Sequence, residues 1–346
     1  MTMMARAQAT DAGPTAPLQN GRTAIILNKN AKRVGERVRR RVLETAPDAD
    51  VFFTESLEQA AFVTRRVVDR GYSTVLTGGG DGTVMNTIQQ VLAEVDAADG
   101  TRPQFGVLKL GTGNAVAGFL NAGRFDDDLT AIDSAQARSL DVIQLADGRR
   151  TLFGGLGWDA FILNNYDRMR ERAERFAVTR ALFKSVAGYF ISGFGKSLPE
   201  LLFKRPSWQV KVINTGGIGR RVDVDGNVIE RFAPGATVYE GPIRLACFGT
   251  TPYYGFNLNI MPFADHTPGL FHLRLMDMSP LTAVRKIRAV WTGRLQDPRL
   301  WDLQLSACRM EFEENAPLQI AGDAAGEVKT LELKVDTPID CLHFPH

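Results

Sequence analysis

Three consecutive glycines, Gly78 to Gly80, stand between the apolar run Thr74–Thr77 and an amphipathic segment that opens at Val84. No other feature constrains the fold as strongly. The alternation reads as strand, tight loop, helix. Glycine lets the backbone take positive φ and come close to a ligand, and the helix beyond points free N–H groups at whatever lies there. An anion is the natural occupant. About thirty residues on, the strand-like Phe105–Leu108 leads into Gly111-Thr112-Gly113-Asn114 and a second apolar helical start at Ala115. Either loop alone could follow from strand–helix geometry, whereas two in one α/β layer can face a single nucleotide.

The wording of the pair carries more. Gly79-Gly80-Asp81-Gly82-Thr83 followed by Gly111-Thr112-Gly113-Asn114-Ala115-Val116-Ala117 resembles the diacylglycerol kinase catalytic domain family, which also holds sphingosine and ceramide kinases and related bacterial lipid kinases. The resemblance runs with gaps from about Ala24 to Leu342 and is close only at the two loops. Ala115 stands where the bacterial diacylglycerol kinases have Asp, so the second loop is nearer the sphingosine and ceramide kinase form.

At 346 residues the chain is long enough for two domains. With 41 basic and 39 acidic residues its net charge of +2 offers no global field for nucleic acid. Cys247, Cys308 and Cys341 lie far apart without metal-site spacing and read as core thiols of a reducing, cytoplasmic protein. No apolar run approaches the ~18 residues that span a bilayer, so any contact with lipid is expected to be peripheral, at the inner membrane surface.

Along the chain, residues 1–20 read as a disordered tail and residues 21–137 as an open, parallel α/β nucleotide-binding domain. Its strands are expected at Thr23–Leu27, Val51–Thr54, 74–78 and Phe105, and its helices at Val34–Leu43, Leu57–Asp69 with Ser56 as cap, Val84–Val95 and Asp126–Ser134. The arginines crowded on the first helix, Arg37, Arg39, Arg40 and Arg41, read as a solvated face, with a phosphate or membrane contact as the alternative. From 138 to 346 the texture is that of an antiparallel β domain, beginning with a hairpin around Asp147-Gly148 and interrupted by a helix at Leu281–Thr292. A helical insertion at 158–202, basic and then aromatic, suits either an anionic bilayer or the cover of a β domain. The resemblance implies the same plan: the two-domain fold of NAD kinases and diacylglycerol kinases, a nucleotide domain beside an antiparallel β-sandwich, with the active site between them.

The resemblance also implies ATP and Mg²⁺, a lipid acceptor, and a set of site residues. Backbone N–H groups of Gly79, Gly80, Gly82 and Thr83, with Gly111 and the Thr83 and Thr112 hydroxyls, suit phosphate. Asn28, Thr54 and Asn114 suit the rest of the nucleotide. Asp81, a carboxylate inside an anion-binding loop, is expected to face Mg²⁺, a donor or the acceptor hydroxyl, the alternative being a cap on the helix that follows. The family's late Asp-Gly-Glu becomes Ala321-Gly322-Asp323, which leaves Asp323 as the catalytic carboxylate, against the alternative of a plain turn residue. Asn86 replaces the family's Glu after the first loop, Lys109 a Pro, and Pro268 an Asp, which puts a structural Mg²⁺ at that last position in doubt. No metal ligand set is assigned. Tyr253, Tyr254 and Phe256 suit a lipid entrance or core packing. The expected activity is therefore γ-phosphoryl transfer to a primary hydroxyl of diacylglycerol, ceramide, a sphingoid base or a similar lipid. A nucleotide- or lipid-binding pseudokinase and an NAD kinase are the alternatives, and a homodimer is a candidate assembly.

Overall fold

The computed structural model describes residues 22–31, 33–111, 113–158, 160, 207–254 and 258–345. The expected N-terminal tail and nearly all of the helical insertion lie outside them, as do Thr112 and Phe256.

The first half alternates β1 (Thr23–Asn28), α1 (Glu36–Thr45), β2 (Asp50–Thr54), α2 (Leu57–Asp69), β3 (Thr74–Gly78), α3 (Asp81–Ala97), β4 (Gln104–Leu108), α4 (Ala115–Phe119) and α5 (Phe125–Thr130). The four strands are parallel in the order β2-β1-β3-β4. Burial on both faces explains the near-continuous apolar runs of β1, β3 and β4, in which Ile25, Leu27, Val75, Leu76, Phe105 and Leu108 are wholly shielded, while β2 is partly exposed. Ser56 caps α2 as its position suggests, accepting the Gln59 N–H at 3.2 Å. Helix α1 begins two residues later than the apolar periodicity implies, because Val34 is buried ahead of the helix and Gly35 takes the cap. Helix α3 begins three residues earlier, at Asp81, directly on the glycine loop.

The strand order reverses between β1 and β3, and in open α/β sheets ligands bind beyond the carboxyl ends of the strands at such a switch point. Asn28, Thr54, Gly78 and Leu108 end the four strands in register, with Asn28 opposite Thr54 and Gly78 opposite Leu108.

The second half is antiparallel: β5 (Gln136–Leu145), β6 (Arg150–Thr151), β7 (Phe153–Gly157), β8 (Trp208–Asn214), β9 (Gly219–Val222), β10 (Val228–Phe232), β11 (Thr237–Ile243), β12 (Leu245–Gly249), β13 (Phe271–Met276), β14 (Leu300–Leu305), β15 (Ala307–Ile320) and β16 (Asp323–His343). The expected helix near 281–292 is two short ones, α6 (Pro280–Arg285) and α7 (Ile287–Trp291), parted at Lys286. The strands curl around a core that includes Val210, Val212, Phe248, Leu273, Met310 and Leu331. Strand β16 pairs with β15 and β5, and near its end runs parallel beside β4, with Cys341 opposite Phe105. The two halves therefore share one hydrogen-bonded ladder.

On the other face of β13 and β14 lies a buried ionic group. Arg274 Nε and Nη2 donate to the two Asp302 oxygens at 2.7 and 3.1 Å, and His272 Nε2 lies 2.9 Å from Asp302 Oδ1. Burial raises the Asp302 pKa, but Arg274 and His272 outweigh it and hold the carboxyl well below its usual range. Burial pushes the His272 pKa down, against the pull of Asp302. An unfolded imidazole titrates near ~6.5. Between the depressed folded value and ~6.5 only the unfolded chain holds this proton, so stability rises with pH through that window and levels off above it. Urea unfolding between pH 5 and 7.5 is expected to show this slope and His272→Gln to reduce it, the remainder including His343, whose pKa burial also pushes down.

Candidate active site

The two glycine loops are in backbone contact. A Cβ on Gly111 would lie 2.7 Å from Gly80 Cα, closer than real Cβ atoms come, so only glycine lets the second loop sit against the first. Each loop is braced from within. Asn114, in the left-handed region at φ 53° that Asn tolerates, accepts the Gly111 N–H through Oδ1 at 2.9 Å and donates Nδ2 to the Gly111 carbonyl at 3.0 Å. Asn28 reaches across the switch point and donates Nδ2 to Thr83 Oγ1 at 3.1 Å, while its Oδ1 accepts the Asn30 N–H at 2.9 Å. Thr54 is buried beside Asn28. In this arrangement the side chains of Asn28, Thr83 and Asn114 brace the loops, and the first-turn N–H groups of α3, which have no partner within the helix, open it at the carboxyl ends of the strands.

Asp81 has a use that the sequence does not display. Its Oδ1 accepts the Val116 N–H at 3.2 Å, and the amides of Ala115 and Asn114 also stabilise its charge. Burial pushes its pKa up against these amides. The carboxylate thus caps α4, the helix of the other loop, rather than α3, the helix that follows it, and it joins the two loops through their helices.

Asp323 opens β16 and is exposed. Its carboxylate lies over the first turn of α3: a Cβ on Gly82 would fall on the carboxylate itself, 2.8 Å from Cγ. An anion there is favoured by the helix N-terminus. The turn that delivers it is fixed from below, with Gln319 Oε1 accepting the Gly322 N–H at 2.8 Å and Phe153 O accepting the Ala321 N–H at 3.1 Å. Ala321, at the position of the family's Asp, is buried at φ 51°.

The structure therefore brings Asn28, Thr54, Gly79, Gly80, Asp81, Gly82, Thr83, Gly111, Asn114 and Asp323 together at the carboxyl ends of the parallel strands. Asn86 lies one helical turn further along α3 and is partly exposed, and Lys109 is exposed on the second loop. Arg37, Arg40 and Arg41 line, with Arg124, a surface groove of about 600 Å³ between α1 and α5. Tyr254 packs on Phe153 with ring centroids 5.2 Å apart and donates its hydroxyl to the Gly154 carbonyl, so it is a core residue. Near Pro268, Asp265 pairs with Arg138, and Asp141 accepts the Gly269 N–H at 2.6 Å. Among the described residues no three His, Cys, Asp or Glu side chains are placed to hold a metal ion.

Residues 22–145 match the family model described as the diacylglycerol kinase catalytic domain. Diacylglycerol kinases of Staphylococcus aureus strains JH9 and Newman are each 23% identical to this chain over 298 residues, covering 85% of it and 81% of the relative. Two solved structures from Bacillus anthracis str. Sterne, one described as a diacylglycerol kinase and the other as a putative diacylglycerol kinase, share the fold with TM-scores of 0.63 and 0.66, at 14% and 15% identity, over 94% of this chain and 97% and 98% of theirs. The glycine loops and the switch point they occupy thus lie in a segment that matches the diacylglycerol kinase catalytic domain, and the chain as a whole is similar in sequence and in fold to bacterial proteins described as diacylglycerol kinases.

Proposed function

We propose that the protein transfers the γ-phosphoryl group of ATP to a primary hydroxyl of a membrane lipid, with diacylglycerol, ceramide and sphingoid bases as candidate acceptors. The observation that carries this reading is the Asp323 carboxylate, brought by the last strand onto the first turn of the helix that leaves the glycine loop. A phosphoryl donor held by α3 and a hydroxyl met by Asp323 would then be neighbours. Gly80 supports the phosphate assignment. Its dihedral angles are ordinary and a Cβ on it would meet no protein atom within 4 Å, so the protein itself has no need of glycine there, whereas a ligand lying on the backbone does.

In this reading the first-turn N–H groups of α3 bind phosphate, Asp81 keeps the second loop closed on the first, and Asp323 orients the acceptor hydroxyl and takes its proton. One exposed carboxylate beside a phosphate site fits a Mg²⁺ that arrives on the nucleotide, since this ion usually takes only one or two protein carboxylates besides phosphate oxygens and water. Its contribution there is to neutralise phosphate charge. The acceptor resides in a bilayer, and this reading takes the contact with lipid as peripheral; no helix among the described residues is long and apolar enough to cross one. Ala321 favours a second reading, a nucleotide-binding protein without turnover, because one of the two family carboxylates is absent.

The test is ADP release from the purified protein with Mg²⁺-ATP and, separately, mixed micelles of diacylglycerol, ceramide or sphingosine, with NAD as a further arm. A lipid-dependent signal is expected. ATP binding with no ADP release in any arm would establish the second reading instead.

A further inference from the structure

Helix α3 is tied at two levels to the short β6–β7 segment that supports Asp323. At the upper level the Asp323 carboxylate meets Gly82, and the turn behind it hangs on Phe153 through the Ala321 N–H. At the lower level Arg150 grips the same helix. Its backbone N–H donates to Gln89 Oε1 at 3.3 Å, and its guanidinium bonds Asp96 Oδ2 through Nη2 at 2.5 Å and Asp336 Oδ2 through Nε at 2.6 Å. Arg102 closes the group, donating to Asp96 Oδ1 at 3.1 Å and to the Thr337 carbonyl at 3.0 Å. The side chains of Arg150 and Asp336 are only 11% and 18% exposed, so solvent screens this group less than a surface pair.

From Gly82 to Gln89 the helix rises about 10 Å at ~1.5 Å per residue. On the other side the chain runs from Phe153 back to Arg150 through a bend at Leu152. The helix and the β6–β7 segment therefore form two rails joined at both ends, and Asp336 fixes the lower joint to β16, the strand that Asp323 begins. A rail free at its lower end can slide or tilt, and the displacement appears at the upper end, between the phosphate loop and the carboxylate.

We propose that Arg150 is a positioning residue for phosphoryl transfer: by clamping Asp96 of α3 to Asp336 of β16 through its guanidinium, it sets the placement of Asp323 over the phosphate loop. The proposal rests on the kinase reading for its kinetic part only. Misplacing a catalytic group by about an ångström can cost orders of magnitude in rate. Arg150→Met is therefore expected to lower kcat about tenfold or more with little change in the KM for ATP, and Arg150→Lys to restore much of it, a single ammonium replacing the two-sided guanidinium contact. In a background of Asp323→Asn, Arg150→Met is expected to lower the residual rate no further, because the group it positions is gone.

Hydrogen exchange needs no turnover and reads the coupling directly. Arg150→Met, or Asp336→Asn where the first variant folds poorly, is expected to speed exchange at the amides of residues 79–83 as well as around 89–102. Exchange that rises only near the substitution, or an equal loss of kcat in both backgrounds, would overturn the proposal. A wild-type protein without lipid-dependent ADP release would sink the kinase reading, and the exchange result would still decide whether Arg150 governs the loop.

Discussion

Asp323→Ala is expected to lower lipid-dependent turnover by about two to four orders of magnitude, the usual contribution of a positioned proton acceptor, while the protein still folds and binds ATP. The fold should survive because Asp323 is exposed at a strand end and the turn behind it is held by Gln319 and Phe153, neither of which is altered. ATP affinity is expected to hold or rise, since the substitution removes a negative charge from the first turn of α3, where phosphate would bind. Asp323→Asn keeps the size and loses the proton affinity, so it should be nearly as slow. Single-turnover ADP release and equilibrium ATP binding on the same preparations measure the two effects. A loss of less than about threefold would return Asp323 to the status of a turn residue and leave the chain without a carboxylate at the reacting hydroxyl.

The second large effect falls on Asp81, where the structure separates two roles that the sequence leaves merged. As the cap that joins the loops, its carboxylate satisfies amides at the start of α4. Asp81→Ala strands those amides in a buried place, at about 1–3 kcal/mol for an unsatisfied donor, and frees the second loop. Lower stability to urea and a raised KM for ATP are the expected result. Asp81→Asn keeps an acceptor oxygen in the same position, so it should recover most of the stability and most of the nucleotide affinity. Its turnover decides the matter. Near-normal kcat would make Asp81 a loop clamp, whereas a folded, ATP-binding Asp81→Asn protein without turnover would place the charge itself in the chemistry.

Much of this site was legible because its physics is local. A glycine run after an apolar strand marks a loop that backbone or ligand can approach closely, and the parallel strands β1, β3 and β4 announce themselves as buried apolar runs of the right length. Ser56 before α2 is equally local, its acceptor lying three residues away. What escaped reading depends on partners remote in sequence. The Asp81 bond to Val116 crosses from one loop to the other, and the approach of Asp323 to Gly82 joins opposite ends of the chain. The full length of β16 was not legible, because its register shifts against both β15 and β5 break the two-residue alternation. Arg150 gave no signal at all, being one arginine of the Arg149-Arg150 pair after a turn. Its role depends on Asp96 and Asp336, which nothing local connects.

Strand β16 has a consequence for how the protein is made. It is the last strand among the described residues, yet it lies beside β4 near the middle of the ladder and carries Asp323 at its start. A ribosome releases β1 to β4 long before β16 emerges, so the nucleotide half must wait with the β4 flank of its sheet uncovered until then. Contacts between segments so remote in sequence form slowly. In the proposed kinase reading, the carboxylate that would meet the acceptor arrives on the segment that closes that flank, so a nascent chain would have no competent site while its sheet is still open.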